Sequence, residues 1–278
     1  MSLAGLPLPF TLGPGGFQPS PSRGGGSRAQ PTPPPPPGPQ VFRLLVGLPG
    51  EARGLAAYDE TTYVVAIDQR MRSFTSLLAG VDHTLGASGE DCYAVAADPA
   101  NARVFVGRTN SLWQCPMPHG SGTPQQIITG LTSCGLAIGR QDLYVSNHDL
   151  ATSQNSVARI SLASTAIVAD VQVGGAPYNP PGSHFCHGLA IDDATATPTL
   201  YLGTLEGEVY SVQDGGATHT ILASGLGAVM GMVFSPANRT LYLTSIADDR
   251  VYALNVDTLA TATVTLDQPF TTNHGPWG

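Results

Sequence analysis

The strongest constraint on the fold of this chain is a short pattern that recurs along most of its 278 residues. Each copy opens near a glycine or another anchor residue, continues as an alternating apolar run and often ends in aspartate. The copies read GLAAYD (54–59), YAVAAD (93–98), GLAIG (135–139), GLAID (188–192) and GMVFS (231–235), and HGPWG (274–278) resembles a sixth opening cut short. Counted from 54, 93, 135, 188, 231 and 275, the anchors lie 39, 42, 53, 43 and 44 residues apart. Repeats of this length are typical of the blades of a β-propeller.

Each repeat also carries the pattern of several short strands. In the fourth repeat, alternating apolar runs lie at 188–191, 199–203, 207–212 and 219–223, and the fifth repeat has the same arrangement. Alternation with a period of two indicates half-buried antiparallel strands, whereas no segment sustains the spacing of an amphipathic helix. We therefore predict an all-β fold, a β-propeller of four-stranded antiparallel blades. Five blades are visible and a sixth is truncated or absent, which favours the six-bladed type.

The composition divides the chain into two domains. Residues 1–40 hold 12 of the 24 prolines, with GGG at 24–26 and five consecutive prolines at 33–37. Such a segment cannot bury enough apolar surface to offset the cost of ordering its backbone, so we expect a disordered Pro/Gly-rich arm. We assign residues 41–278 to the propeller domain and expect it to be incomplete at its C-terminus. The run VFRLLVG (41–47) resembles the outer strand of a blade.

The charge pattern excludes some classes of partner. All 12 basic residues are arginine, and the net charge is −8 at pH 7. Without a basic stripe we expect no nucleic-acid binding, and a protein or small-molecule ligand is the expected partner. No stretch reaches the ~20 apolar residues that a membrane span requires. The N-terminus lacks a basic leader, which slightly favours a cytoplasmic over a secreted protein but leaves the compartment and the oligomeric state open.

The third repeat is longer than the others because it contains an insertion, GGAPYNPPGS (174–183). Long loops on the rim of a propeller are frequent binding elements. His184 follows this insertion and precedes the fourth anchor by four residues. We therefore expect the insertion to form a rim loop, with His184 able to fold over the mouth of the central channel.

The repeats resemble known propeller families. GMVFSPANRTLYLTS (231–245) with DRVYAL (249–254) resembles a blade of the SMP-30/gluconolactonase family, and PGE (49–51) through YVVAID (63–68) is similar to its opening blade. The GLAI runs at 135 and 188 are shared equally with NHL-repeat propellers. This resemblance covers residues 41–278. It implies a six-bladed propeller with a divalent metal at the channel mouth.

The resemblance also names candidate ligands of that metal. In the SMP-30-like enzymes a Glu of the opening blade, an Asn before a later anchor and an Asp of another blade hold the ion. Carried over by motif, the Glu position is Glu51, whereas the other two positions hold Met230 and His274. Methionine offers no hard oxygen ligand, so this chain departs from the family in two of the three positions.

A second set of candidates comes from the residues that precede the anchors. Since every innermost strand starts near the channel mouth, these residues should form a ring there: Arg53, Cys92, Cys134, His187, Met230 and His274, with Cys186 one position further back. Cysteine and histidine are ligands of zinc and copper. Peptidylglycine amidating lyases, which are NHL-like propellers, hold zinc with histidines in such places, and His187 resembles that placement. Equally, the cysteines could be small core residues or form a disulfide between neighbouring blades.

Two functions from different classes remain open. The first is an interaction module that recognises a protein or small ligand at the channel mouth and the rim loops. The alternative is a metal-dependent hydrolase of the lactonase type, or a lyase, that uses zinc, copper or calcium. In that case the metal ligands would be Cys92, Cys134, His187 and His274, and the catalytic residues would be Glu51 and Arg53.

Overall fold

A computed structural model of the protein describes residues 52–59, 62–75, 79–86, 89–118, 121–149, 154–180 and 186–264. Within these ranges the strands form five four-stranded antiparallel sheets and one short hairpin. The predicted all-β fold with four-stranded antiparallel blades is therefore confirmed. The arm at 1–40, the strand at 41–47 and the sixth opening at 274–278 lie outside the described residues.

Each blade is a simple meander in which every strand pairs with the next strand along the chain. Blade 1 consists of β1 (Ala52–Ala57), β2 (Thr62–Ile67), β3 (Arg70–Thr75) and β4 (Ala79–Thr84). Blade 2 consists of β5 (Cys92–Asp98), β6 (Arg103–Arg108), β7 (Ser111–Pro116) and β8 (Gln125–Thr129). Blade 3 consists of β9 (Ser133–Ile138), β10 (Asp142–Asp149), β11 (Gln154–Ser161) and β12 (Ile167–Asp170).

The remaining strands follow the same plan after a short hairpin. The hairpin pairs β13 (Gln172–Val173) with β14 (Ala176–Pro177). Blade 4 consists of β15 (Cys186–Asp192), β16 (Thr199–Thr204), β17 (Val209–Gln213) and β18 (Thr220–Ala223). Blade 5 consists of β19 (Val229–Ser235), β20 (Thr240–Ser245), β21 (Arg250–Asn255) and β22 (Thr261–Thr263).

Helical structure is confined, among the described residues, to one 3₁₀ turn at Pro99–Asn101. Proline at its first position suits this turn, and Ala102 ends it in the left-handed region with φ 50°. The turn joins the first two strands of blade 2, as the run DPAN at 98–101 predicts. No helix in the described part of the chain has the length and apolar character needed to cross a membrane.

The core of the protein lies between consecutive blades. The innermost strands contact one another in chain order, β1 with β5, β5 with β9, β9 with β15 and β15 with β19. The residue after each anchor faces the preceding blade: Leu136 of blade 3, for example, packs with Ala94 and Ala96 of blade 2. The residue two positions after the anchor faces the following blade, as Ala190 of blade 4 does when it packs against Met232 of blade 5.

This close approach of innermost strands explains why the anchor is so often glycine. A β-carbon added at Gly135 would lie 2.4 Å from the carbonyl oxygen of His187 in the next blade. A β-carbon at Gly54 would lie 2.9 Å from the α-carbon of Ala94. Both distances are shorter than van der Waals contact, so a larger residue would push the neighbouring strands apart.

Candidate functional site

The innermost strand of every blade contains a β-bulge at the same place. In blade 1, Ala52 pairs with Ile67 and Gly54 pairs with Ala66, so the residue between them has no partner in β2. The same one-residue slip recurs in all five blades, and the bulged residues are Arg53, Tyr93, Cys134, His187 and Met230. A bulge redirects a side chain that would otherwise follow the sheet. All five except Cys134 are partly exposed. Their shared position at the start of the innermost strands corresponds to the mouth of the central channel of a propeller.

The predicted ring matches these bulged residues in four of the five described blades. The exception is blade 2, where sequence comparison selected Cys92 and the strand pairing places Tyr93 in the bulge. Ala94, which pairs with Gly107, is the true equivalent of the glycine anchors. The repeat pattern points to Cys92, one residue too early, because it aligns Tyr93 with the glycine anchors. Glu51 and His274, the other two predicted site residues, lie outside the described residues, as does His184.

Cys92 instead belongs to the core between blades 1 and 2. Its side chain is fully buried with Val95, Val104 and Met71. Burial raises the pKa of the Cys92 thiol to about 12, so the thiol stays protonated at neutral pH. Cys186 occupies the equivalent position of blade 4 and is also buried, with its pKa raised for the same reason.

Three of the bulged side chains meet across the channel. The guanidinium of Arg53 lies 5.1 Å from the centre of the Tyr93 ring, a cation–π distance. The Tyr93 ring in turn packs nearly perpendicular to the His187 ring, with 6.2 Å between their centres. Tyr93 and His187 belong to blades 2 and 4, which blade 3 separates, so their contact crosses the channel. We call Arg53, Tyr93 and His187 the mouth triad.

A carboxylate holds the guanidinium of the triad in place. Arg53 Nη1 donates a hydrogen bond to Asp91 Oδ2 at 3.0 Å. Two hydrogen bonds to Thr109 fix the main chain of Asp91. The Asp91 N–H donates to Thr109 Oγ1, and the Asp91 carbonyl accepts a hydrogen bond from the Thr109 N–H, both at 3.1 Å. The Asp91 side chain remains 39% exposed. The mouth therefore presents a fixed cation and a carboxylate that solvent or a ligand can reach.

The His187 imidazole is neutral at physiological pH. Burial lowers its pKa to about 4, and the nearby His148 and Arg53 add to the effect because each disfavours a second positive charge. His148 is buried beside it and lies 3.0 Å from Asn155 Oδ1 through its own Nδ1. A neutral His187 ring has one donor and one acceptor nitrogen, so it can orient a polar ligand without attracting an anion by charge.

The predicted metal centre combines residues inside and outside the described ranges, because Cys92, Cys134 and His187 are described and His274 is not. Burial raises the pKa of the Cys134 thiol to about 12, so this thiol is protonated at neutral pH. Arg53 adds a positive charge near His187, which opposes a bound cation. No group of three or more His, Cys, Asp or Glu side chains in the described ranges is arranged to hold a metal ion. The cysteines of these ranges are unpaired thiols rather than the disulfide considered as an alternative.

The described part of the insertion forms the exposed end of the β13–β14 hairpin and is hydrogen-bonded to blade 4. Gly174 N–H donates to the carbonyl of Gly216 at 2.8 Å, and Gly215 N–H donates to the carbonyl of Gln172 at 2.8 Å. Tyr178 is buried and packs edge-on against His219, with 5.9 Å between the ring centres. Residues 174–180 thus fasten blade 3 to the outer part of blade 4. No strand-like pattern in the insertion indicated this contact.

A second concave site, which the sequence did not indicate, lies between blades 4 and 5. Its volume is about 450 Å³, and its walls include Tyr201, Ser211, Gln213 and Thr220 from blade 4 and Arg239 from blade 5. Arg239 is held there by Asp192 and by Asp257, the latter at 3.3 Å. Asp192 therefore forms an ion pair across the interface between blades 4 and 5.

Comparison with solved structures agrees with this geometry. One chain of a crystal structure of a nidogen/laminin complex superposes with a TM-score of 0.60 over 76% of this chain and 79% of that chain, at 14% identity. The WD40 β-propeller domain of Doa1 superposes with a TM-score of 0.57 over 84% of this chain and 88% of that chain, at 10% identity. The chain is a β-propeller. No protein-family model matches it, and no curated protein sequence matches it significantly.

Proposed function

We propose that this β-propeller is an interaction module that binds a protein segment or a small ligand at the channel mouth. The observation that carries the proposal is the mouth triad, in which side chains from blades 1, 2 and 4 converge on one point. Propellers commonly hold ligands where loops and strand ends of several blades meet, and a fixed arginine beside aromatic rings is typical of binding hot spots.

The triad sets the chemistry of the ligand. Arg53 offers a charge-assisted donor, His187 a neutral donor and acceptor, and Tyr93 an aromatic face between them. Asp91 pairs with Arg53 but is accessible, so a ligand carboxylate would compete with Asp91 for the guanidinium. We therefore expect a polar group, such as a carboxylate or an amide, to enter the mouth, while apolar parts of the ligand rest on the Tyr93 ring.

A selection of peptides from a random display library tests this proposal. Peptides retained by the wild-type protein should lose affinity when Arg53, Tyr93 or His187 is replaced by alanine, by roughly thirtyfold if each is a hot spot worth about 2 kcal/mol. Arg140→Ala is the matched control, because Arg140 is exposed on blade 3, outside the mouth triad, and donates a hydrogen bond to the carbonyl of Ala194. Peptides that bind the three alanine variants as tightly as the wild-type protein would overturn the proposal.

We also propose that the ring is of the six-bladed type and related to the SMP-30 and NHL propellers that its repeats resemble. The supporting observation is that blades 1 and 5 each expose an apolar residue on the flank away from their described neighbour, Leu55 and Val233 respectively. In a closed five-bladed ring these two flanks would pack together. A Leu55→Cys, Val233→Cys double variant tests this directly, because a disulfide needs α-carbons within about 7 Å. Formation of that disulfide under mild oxidation would exclude the six-bladed arrangement.

A further inference from the structure

The concave site between blades 4 and 5, which we call the blade 4–5 pocket, exists because of one short side chain. In blades 2 to 4, the residue two positions after the anchor and the residues paired with it in successive strands form a row that faces the following blade. In blade 4 this row consists of Ala190, Tyr201, Ser211 and Thr220, from the innermost strand outwards. Since blades diverge as they extend from the channel, the serine at the third place leaves a gap in front of blade 5.

Longer side chains occupy the third place of this row in blades 2 and 3. In blade 3 it is Arg159, which forms an ion pair with Asp214 of blade 4. In blade 2 it is Gln114, whose Oε1 accepts a hydrogen bond from Arg103 Nη1 at 3.1 Å. Arg103 Nη2 reaches blade 3, where it donates to the carbonyl of Leu162 at 2.6 Å. Side chains thus bridge these two interfaces, whereas the blade 4–5 pocket keeps a volume of about 450 Å³, within the roughly 300–1,000 Å³ of small-ligand sites.

Contacts outside the pocket hold its walls in place. The turn at 216–218 joins β17 to β18 and lines one wall. Gly216 of this turn forms a β-bridge with Val173 of the short hairpin, and its carbonyl accepts a hydrogen bond from that hairpin at 2.8 Å. On the side of blade 5, the Arg239 guanidinium lies 5.2 Å from the centre of the Phe234 ring. Walls that are already fixed lower the entropic cost of binding a ligand.

The charges around the pocket favour an uncharged ligand. The Arg239 guanidinium is paired with Asp192 of blade 4 and with Asp257 of blade 5. An anion would compete with both carboxylates, and a cation would meet the positive charge of Arg239. At the channel mouth Asp91 is 39% exposed and a ligand can replace it, whereas the Asp192 side chain is only 11% exposed. A neutral ligand needs no such exchange of partners.

The rest of the polar lining consists of side-chain hydroxyls and one amide, from Thr199, Tyr201, Ser211, Gln213, Thr218 and Thr220. These groups both donate and accept hydrogen bonds, as the hydroxyls of a sugar do, whereas an ammonium group only donates and an ionised carboxylate only accepts. Leu222 and Val256 also line the pocket and are partly buried, so they offer an apolar surface to the C–H groups of a sugar ring.

We propose that the blade 4–5 pocket binds a saccharide unit. Ser211 and Thr220 lie opposite each other in neighbouring strands and supply hydrogen bonds to the sugar hydroxyls. Leu222 and Val256 supply apolar contacts to the ring. Of the residues that line the pocket, none belongs to the mouth triad, so this site is separate from the one proposed above.

Saturation-transfer-difference NMR with the full chain provides the test. The probes are glucose, galactose, mannose and N-acetylglucosamine, with acetate and methylammonium as charged comparisons. We expect saturation transfer to at least one of the sugars. Ser211→Gln introduces the residue type that blade 2 has at this place, and it should weaken sugar binding by roughly tenfold or more because the longer side chain fills the pocket. Thr129→Gln is the matched control, since Thr129 is exposed on the outermost strand of blade 2 and should leave sugar binding unchanged.

Several outcomes would overturn the inference. Transfer to none of the sugars would mean that the pocket is not a saccharide site. Sugar binding that is equally strong in Ser211→Gln would place the sugar elsewhere on the protein. Transfer to acetate or methylammonium that disappears in Ser211→Gln would show that the pocket selects an ion. Arg53→Ala should leave sugar binding unchanged, and a loss of binding in that variant would move the sugar to the channel mouth.

Loss of folding in Ser211→Gln, detected by circular dichroism, would not prevent the measurement. Ser211→Ala and Thr220→Ala each remove one hydroxyl and add no bulk, and each should weaken the binding of the same sugar several-fold. Unchanged affinity in both variants would contradict the inference. Methyl glycosides of the sugars distinguish the two sources of such a unit, because the end of a glycan tolerates the methyl group and a site for a free sugar that encloses the anomeric hydroxyl does not.

Discussion

Blades 1 and 3 carry nearly the same innermost strand but differ in what covers it. The runs GLAA (54–57) and GLAI (135–138) both place a leucine after the glycine anchor. In blade 3 that leucine is buried against blade 2, whereas in blade 1 it is exposed on the side of the blade that has no neighbour among the described residues. The comparison teaches that the repeat specifies a blade, while its neighbours in the ring decide how much of the blade is buried.

The largest expected loss of stability distinguishes the buried Leu136 from the exposed Leu55. Leu136→Ala should lower the free energy of unfolding by about 3 kcal/mol, because it removes buried methyl groups and leaves a cavity. Leu55→Ala should lower it by less than about 1 kcal/mol, because only one side of that leucine makes contacts. Urea unfolding of both variants measures the difference. Equal losses would mean that the flank of blade 1 is as well covered as that of blade 3.

Protonation of His187 should change the free energy of unfolding by a comparable amount. His187 belongs to blade 4, which has a neighbouring blade on both sides. Its folded pKa of about 4 lies below the unfolded value of about 6.5, so below pH 6.5 the unfolded chain binds a proton that the folded chain does not. Stability should therefore be intact above pH 6.5 and fall by about 3 kcal/mol in total as the pH drops to 4.

Urea unfolding as a function of pH measures this loss, and His187→Gln serves as the control. The variant should keep the carboxylate-dependent changes of the wild-type protein and lose the part between pH 6.5 and 4. If His187→Gln shows the same pH dependence of stability as the wild-type protein, the imidazole is not buried in the folded state, and the prediction is wrong.

The smallest expected changes in stability come from substitutions at the residue two positions after the anchor, which is Ala190 in blade 4 and Val233 in blade 5. Ala190→Val should destabilise blade 4 by about 2 kcal/mol, because Ala190 packs tightly against blade 5 and an added methyl pair overfills the interface. Val233→Ala in blade 5 should change the stability by less than about 0.5 kcal/mol, since Val233 is exposed on the side of blade 5 that has no neighbour among the described residues. Thermal melts of the two variants sharpen the comparison. A larger loss in Val233→Ala would show that its flank is packed.

Much of the fold follows from short-range patterns and was predictable. The strand expected at 199–203 is observed at Thr199–Thr204, and that expected at 207–212 is observed at Val209–Gln213. Period-two alternation is a local property, so it predicts strands without information about which strands lie next to them. The one-residue error at Cys92 has the opposite origin. A bulge is defined by pairing with another strand, and tyrosine in place of the usual small anchor concealed where that pairing slips.

Sequence spacing predicts a ring of residues before the anchors, and four of these residues occupy the bulges, but spacing does not show which side chains contact one another. Arg53 and His187 were selected from the pattern, whereas the contact of Tyr93 with both depends on how wide the channel is. The lowered pKa of His187 depends on burial and on the nearby His148, which belongs to another blade. Such properties arise from groups far apart in the chain, so no local pattern encodes them.

By itself, the sequence determined the blade: its strands, its turns and the small anchor that lets innermost strands approach. Those features depend on alternation and steric size, which are properties of a few adjacent residues. Only the tertiary structure decided which leucine is buried, which residue occupies the bulge of blade 2 and which side chains meet across the channel. Burial and electrostatic coupling depend on distances between blades, and the packing of whole sheets sets those distances.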